Sequence, residues 1–104
     1  MRTILVVFTN DKNTSVNSVN TGAHKKYCFR VKDSFNVEVG TFLKSPTYNN
    51  YMLVTEVLNE DYKYVNHTSG ELKKEITATT DFPIKTLEVK EQGDLTEFVS
   101  IVTD

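Results

Sequence analysis

Tyr51-Met52-Leu53-Val54-Thr55-Glu56-Val57-Leu58 is apolar at both parities apart from Thr55 and Glu56. A strand shows alternate side chains to opposite faces, so a run without alternation is a strand covered on both sides. This segment therefore belongs in the middle of a sheet, and its neighbours read as strands too. Upstream, Phe35, Val37 and Val39 alternate with Asn36 and Glu38 until Gly40-Thr41 permits a bend into Phe42-Leu43. Lys44-Ser45-Pro46 stops that strand, because proline lacks a ladder donor and restricts the residue before it. Downstream, Asn59-Glu60-Asp61 turns the chain into Tyr62-Lys63-Tyr64-Val65. The loop Asn66-His67-Thr68-Ser69-Gly70 follows, with Gly70 able to take a positive φ. A hairpin return is expected through Leu72, Lys74, Ile76 and Ala78.

The rest of the chain extends the same pattern. Met1–Phe8 reads as a first strand rather than a signal peptide, since its apolar run of five stops at Thr9-Asn10-Asp11. Residues 9–22 read as a long polar loop. From His24, Tyr27, Phe29 and Val31 point one way and Lys26, Cys28, Arg30 and Lys32 the other, a strand with one exposed, polar face carrying Cys28. Pro83 limits the start of a strand over Ile84–Val89, and Gly93 ends it. In Asp94–Val102, Asp94 and Glu97 have capping spacing, and Leu95, Phe98, Val99 and Val102 recur at helical intervals. A short C-terminal helix is the expectation; a final strand is the alternative, because Val99, Ile101 and Val102 are β-branched.

Composition agrees. Thr, Val and Ile supply 31 residues against 9 from Leu and Ala, which favours pleated surfaces over helices. At 104 residues the chain is expected to form a single domain over 1–104, mainly β, as a small, partly open antiparallel barrel. One cysteine cannot form an internal disulfide, no stretch approaches a membrane span, and a soluble, cytoplasmic protein is expected. Net charge is −2, divided as +4 over residues 1–52 and −6 over residues 53–104.

The glycine bend carries a resemblance. Phe35-Asn36-Val37-Glu38-Val39-Gly40-Thr41-Phe42-Leu43, a turn, and then Tyr51–Leu58 resemble the V-x-V-G-D-x-V … V-x-x-V opening of small SH3-like barrels, with Thr41 where those barrels carry aspartate. That likeness implies an architecture in which one curved strand serves both sheets. The Asn/Thr/Lys-rich style, with Tyr-Val-Asn-x-Thr-x-Gly-Glu at Tyr64–Glu71, is similar to small early proteins of large tailed phages. That second likeness implies a protein that binds and redirects a host or antiviral enzyme.

The residues themselves carry little chemistry of catalysis. His24 and His67 have no Cys or carboxylate at ligand spacing, so no metal is expected. Cys28 has no base beside it in sequence, and no carboxylate pair flanks a glycine-rich or aromatic stretch, so no catalytic residue and no cofactor are expected. Tyrosine buries much area at small entropic cost. The expected partner-binding surface is accordingly Tyr48, Tyr51, Glu60, Asp61, Tyr62, Lys63, Tyr64 and His67, on a non-enzymatic protein-binding domain that inhibits or modulates a host or defence protein. The alternative is single-stranded nucleic-acid binding, with Lys25, Lys26, Arg30, Lys32, Lys44 and Lys63 on phosphates and Tyr62 or Tyr64 on a base. A third reading is capture of a nucleotide-like ligand in an oligomer interface.

Overall fold

The computed structural model describes residues 1–11, 13–21, 25–44, 50–92 and 95–102, of which 19–21, 89–92 and 95–102 are described by their backbone course alone. The expected turn at Ser45-Pro46, Gly22, His24, Gly93 and Asp94 lie outside the described residues.

The fold is mainly β. Its strands are β1 (Arg2–Thr9), β2 (Tyr27–Val31), β3 (Phe42–Lys44), β4 (Tyr51–Leu58), β5 (Tyr64–Asn66), β6 (Leu72–Lys73), β7 (Asp81–Pro83), β8 (Thr86–Gln92) and β9 (Leu95–Val102), with one short helix, α1 (Val16–Thr21). Six strands curl into a barrel in the order β1-β2-β8-β9-β3-β4, with β4 returning to β1. The other three form a small antiparallel sheet, β6-β5-β7.

The doubly apolar β4 lies, as its pattern predicts, between two partners, β1 and β3. Met52 and Val54 are buried inside the barrel with Ile4, Val6, Phe29, Val31, Val37, Leu43 and Leu87. Leu53 packs with Val7 in a second cluster, against Val16 of α1 and Phe42. At Leu5/Val6 the register slips so that Leu5 faces Glu56 and Val6 faces Val54. Thr55 is the extra residue of that bulge, and its hydroxyl donates to the Leu5 carbonyl at 3.2 Å, which allows a polar side chain to be buried there. The glycine bend is also present. Gly40 has φ of +94°, its N–H donates to the Val54 carbonyl at 2.8 Å, and Val54 N–H donates to Thr41 at 2.9 Å.

Several expectations are corrected. Phe35–Val39 is not a strand: one turn is closed by Phe35 N–H to the Lys32 carbonyl (3.0 Å) and a second by Thr41 N–H to the Glu38 carbonyl (3.1 Å), while Glu38 N–H donates to Thr41 Oγ1 (3.3 Å). Val37 is buried in the core, while Val39 stands 54% exposed. The hairpin return is strand only over Leu72–Lys73, and Ile76 is 60% exposed. The polar segment 9–22 holds α1, capped by the Ser15 hydroxyl, which accepts Ser18 N–H at 3.1 Å. The expected C-terminal helix is the alternative strand, β9, antiparallel to β8 from Thr86↔Val102 to Gln92↔Leu95. The barrel is not purely antiparallel: β2 meets β8 and β3 meets β9 in parallel, each through one residue pair, Arg30↔Thr86 and Lys44↔Phe98.

The small sheet is tied to the barrel by polar groups. Thr3 is fully buried; its hydroxyl donates to the Glu60 carbonyl at 2.9 Å and accepts Tyr62 N–H at 3.1 Å. Arg30 grips Asp61 with two bonds, Nε to Oδ1 at 2.9 Å and Nη2 to Oδ2 at 3.2 Å. Backbone bonds continue the tie from Ile84 N–H to Lys63 and from Arg30 N–H to Lys85, both 2.9 Å. Thr3→Val keeps the shape of the side chain but removes the hydrogen-bond partner of both the Glu60 carbonyl and the Tyr62 N–H. It is expected to lower the free energy of unfolding by about 2 kcal/mol, measured by urea denaturation; an unchanged midpoint would show that the hydroxyl clamp is dispensable.

Candidate functional site

Where the small sheet lies beside one end of the barrel, a cleft of about 900 Å3 opens between them. Its barrel side is the end of β1 and the start of β2, and its other side is the β5–β6 hairpin and β7. Two aromatic pairs furnish it. Phe8 and Tyr27 meet edge to face with centroids 5.1 Å apart, and the His67 and Phe82 rings lie 4.4 Å apart at 54°. Tyr27 and Phe82 remain 40% and 48% exposed. The described residues that line the cleft include Lys25, Lys26 and Lys85, all exposed, and no Asp or Glu. The Lys25 ammonium sits 5.0 Å from the centre of the Tyr27 ring.

Two buried side chains shape the hairpin wall. Asn66 uses its whole amide: Oδ1 accepts the N–H groups of Thr68 and Ser69 at 2.9 Å each, and Nδ2 donates to Thr80 Oγ1 and Asp81 Oδ1 at 2.8 Å each. Gly70, at φ of +75°, closes the turn by donating its N–H to the Asn66 carbonyl at 2.7 Å. His67 N–H donates to the Thr80 carbonyl at 2.9 Å, which holds its backbone beside the chain entering β7, and its ring meets Phe82. The Asp81 carboxylate accepts Thr77 N–H at 2.8 Å and Ala78 N–H at 2.9 Å, with the Lys73 ammonium at 3.3 Å. These donors, the Thr77 amide foremost, hold its carboxyl well below the usual carboxylate range.

Cys28 lines the same cleft. It does not lie on an open polar face as its strand parity suggests: it is half-buried, and burial pushes its thiol pKa upward. A thiol kept protonated is a poor nucleophile. With flat rings, exposed ammonium groups and no carboxylate among its described lining residues, the cleft offers stacking and charge.

The residues expected to form one binding surface are divided. Tyr48 lies outside the described residues. Tyr51 packs edge-on to Phe42, with centroids 6.2 Å apart, beneath the Lys44 ammonium. Tyr62 donates its hydroxyl to the Glu60 carboxylate, and Lys74 pairs with Glu60 at 3.6 Å while approaching the Tyr62 ring. The Tyr62 hydroxyl, then the lysine, lower the Glu60 pKa, and the carboxylate in turn raises that of Tyr62. Asp61 is occupied by Arg30, whose hydrogen bond lowers its pKa. Lys63 is exposed, and Tyr64 is half-buried in the middle strand of the small sheet. Among the described residues of that set, only His67 lines the cleft, where it joins Lys25 and Lys26. Sequence reasoning missed Tyr27, Phe82 and Lys85 as site residues. The available signal was Asp81-Phe82-Pro83, an aromatic beside a proline at a sheet edge, where a large apolar residue stays uncovered.

Compared with protein-family models, with curated proteins and with solved structures, the chain matches none of them. Among the described residues, no helix is long and apolar enough to cross a membrane.

The Asp81 geometry gives a signed pH dependence. A carboxyl whose folded pKa lies below its unfolded value of about 3.9 contributes stability that is complete above that value and is lost as pH falls below it. Wild-type stability should therefore drop steeply below about pH 4, whereas Asp81→Asn should be less stable at neutral pH and lose less on acidification. Parallel acid titrations followed by circular dichroism check this; equal acid slopes would remove Asp81 from the account.

Proposed function

We propose that this chain is a non-enzymatic binding domain that holds an anionic partner in the cleft between the barrel and the small sheet. One observation carries the reading: three exposed lysines, Lys25, Lys26 and Lys85, converge with exposed Tyr27 and Phe82 around a lining that has no described carboxylate. In a protein of net charge −2, such a local excess of cations concentrates anions at one place instead of over the whole surface. The rings supply the apolar contact area that fixes orientation.

The Glu60–Tyr62–Lys74 cluster supports this surface less well, because its charges already satisfy one another. In the setting implied by the likeness to early phage proteins, a domain of this kind acts by occupation in the host cytoplasm, and it modulates a host or defence factor by covering the anionic part of it.

Retention on a heparin column tests the reading. Wild-type protein is expected to be retained at low salt despite its acidic pI of about 5.7, and Lys25→Glu combined with Lys85→Glu should pass through. Lys32→Glu combined with Lys63→Glu, which makes the same charge change on exposed lysines outside the cleft lining, should stay retained. Equal behaviour of the two double variants would overturn it.

A further inference from the structure

Resting on the reading of the cleft as an anion site, we propose that the anion is the sugar-phosphate backbone of a single-stranded nucleic acid, with its bases laid on Phe82 and Tyr27. Both rings are exposed enough to accept a base, at 48% and 40%, and each is braced by a second ring, His67 for Phe82 and Phe8 for Tyr27. A braced ring keeps its orientation before the ligand arrives, so less freedom is lost on stacking. Every base has a π-face, which makes this mode tolerant of sequence.

The cations suit phosphate. Among the described lining residues the fixed positive charges are all lysines, which act as point charges toward phosphate, whereas planar carboxylates are held best by the arginine fork. Arg30 is already gripped to Asp61. An acidic peptide adding itself as a strand is opposed by Pro83, which ends edge strand β7 without an N–H to donate. A duplex hides its base faces in its own stack, so only an unpaired strand can use both rings.

Fluorescence anisotropy with a labelled oligothymidylate of about twelve nucleotides tests this on the full chain. Three phosphate contacts give a slope of log K against log salt of about −2, so raising salt from about 50 to about 200 mM should weaken binding about 20-fold. Phe82→Leu, which keeps apolar bulk but not the flat face, should weaken binding about tenfold, and Phe82→Trp should restore it. Equal affinity for Phe82→Leu and Phe82→Trp would overturn the stacking claim. So would equal binding of an abasic oligomer, which carries the phosphates without the bases. Displacement by thymidine monophosphate at concentrations comparable to the oligomer would assign the cleft to a free nucleotide and overturn the strand. Binding of poly-glutamate at least as tight as that of the oligomer would overturn the nucleic-acid inference while leaving the anion site standing. If neither polymer binds, both are wrong.

Discussion

The cleft exists because the small sheet is held beside the barrel, and that attachment depends on two side chains of the barrel wall. Thr3, wholly buried, binds both the carbonyl and the amide of the turn that starts the small sheet. Arg30, on the neighbouring strand, closes a two-pronged bond on Asp61 in the same turn. The pair is only partly shielded, with 15% and 34% of the two side chains exposed, so its net contribution is that of a geometric lock more than of a large energy. The lock sets the path of Tyr62–Lys63, and Lys63 in turn receives Ile84, which brings Phe82 and Lys85 alongside Tyr27.

The second organising element is the hairpin wall, where Asn66 and Asp81 each replace several missing backbone partners. Strands of two or three residues cannot hold a sheet by ladder bonds alone. The buried amide and carboxylate organise the loops on either side instead, and each has its own bonding capacity well used. The rigidity of the cleft wall is thus purchased with polar groups whose removal would leave amides unpaired.

How much of this was legible in the sequence follows from the range of the interactions. The two-sided burial of β4 and the turn at Gly70 rest on local chemistry and lie where the residues place them; Gly40 also bends the chain, but the bend is entered from turns and not from the strand expected over Phe35–Val39. The strand β9 was the harder case: Leu95, Phe98, Val99 and Val102 fit a helix by spacing, and the backbone of β8 as a pairing partner decides for the strand. The parallel seams that close the barrel rest on single residue pairs far apart in sequence, and no local pattern encodes them. α1 is hidden by its polar composition; among its described side chains Val16 alone packs on the apolar cluster. For the site, Lys25, Lys26 and His67 were visible as a basic pair and a loop histidine. Tyr27 looked like a core residue by alternation, and Phe82 and Lys85 acquire meaning only when β7 is placed across from β2. The overall acidity of the chain conceals a local cationic patch for the same reason.

The cleft, and not the Glu60–Tyr64 turn, is the surface we propose for the partner. The most direct measurement is a two-dimensional amide NMR titration of the labelled protein with single-stranded oligonucleotide. The account predicts that the largest shift changes gather on Tyr27, His67, Phe82 and Lys85, with Glu60 and Tyr62 little affected. Changes gathered on Glu60–Tyr64, with the cleft amides still, would contradict it.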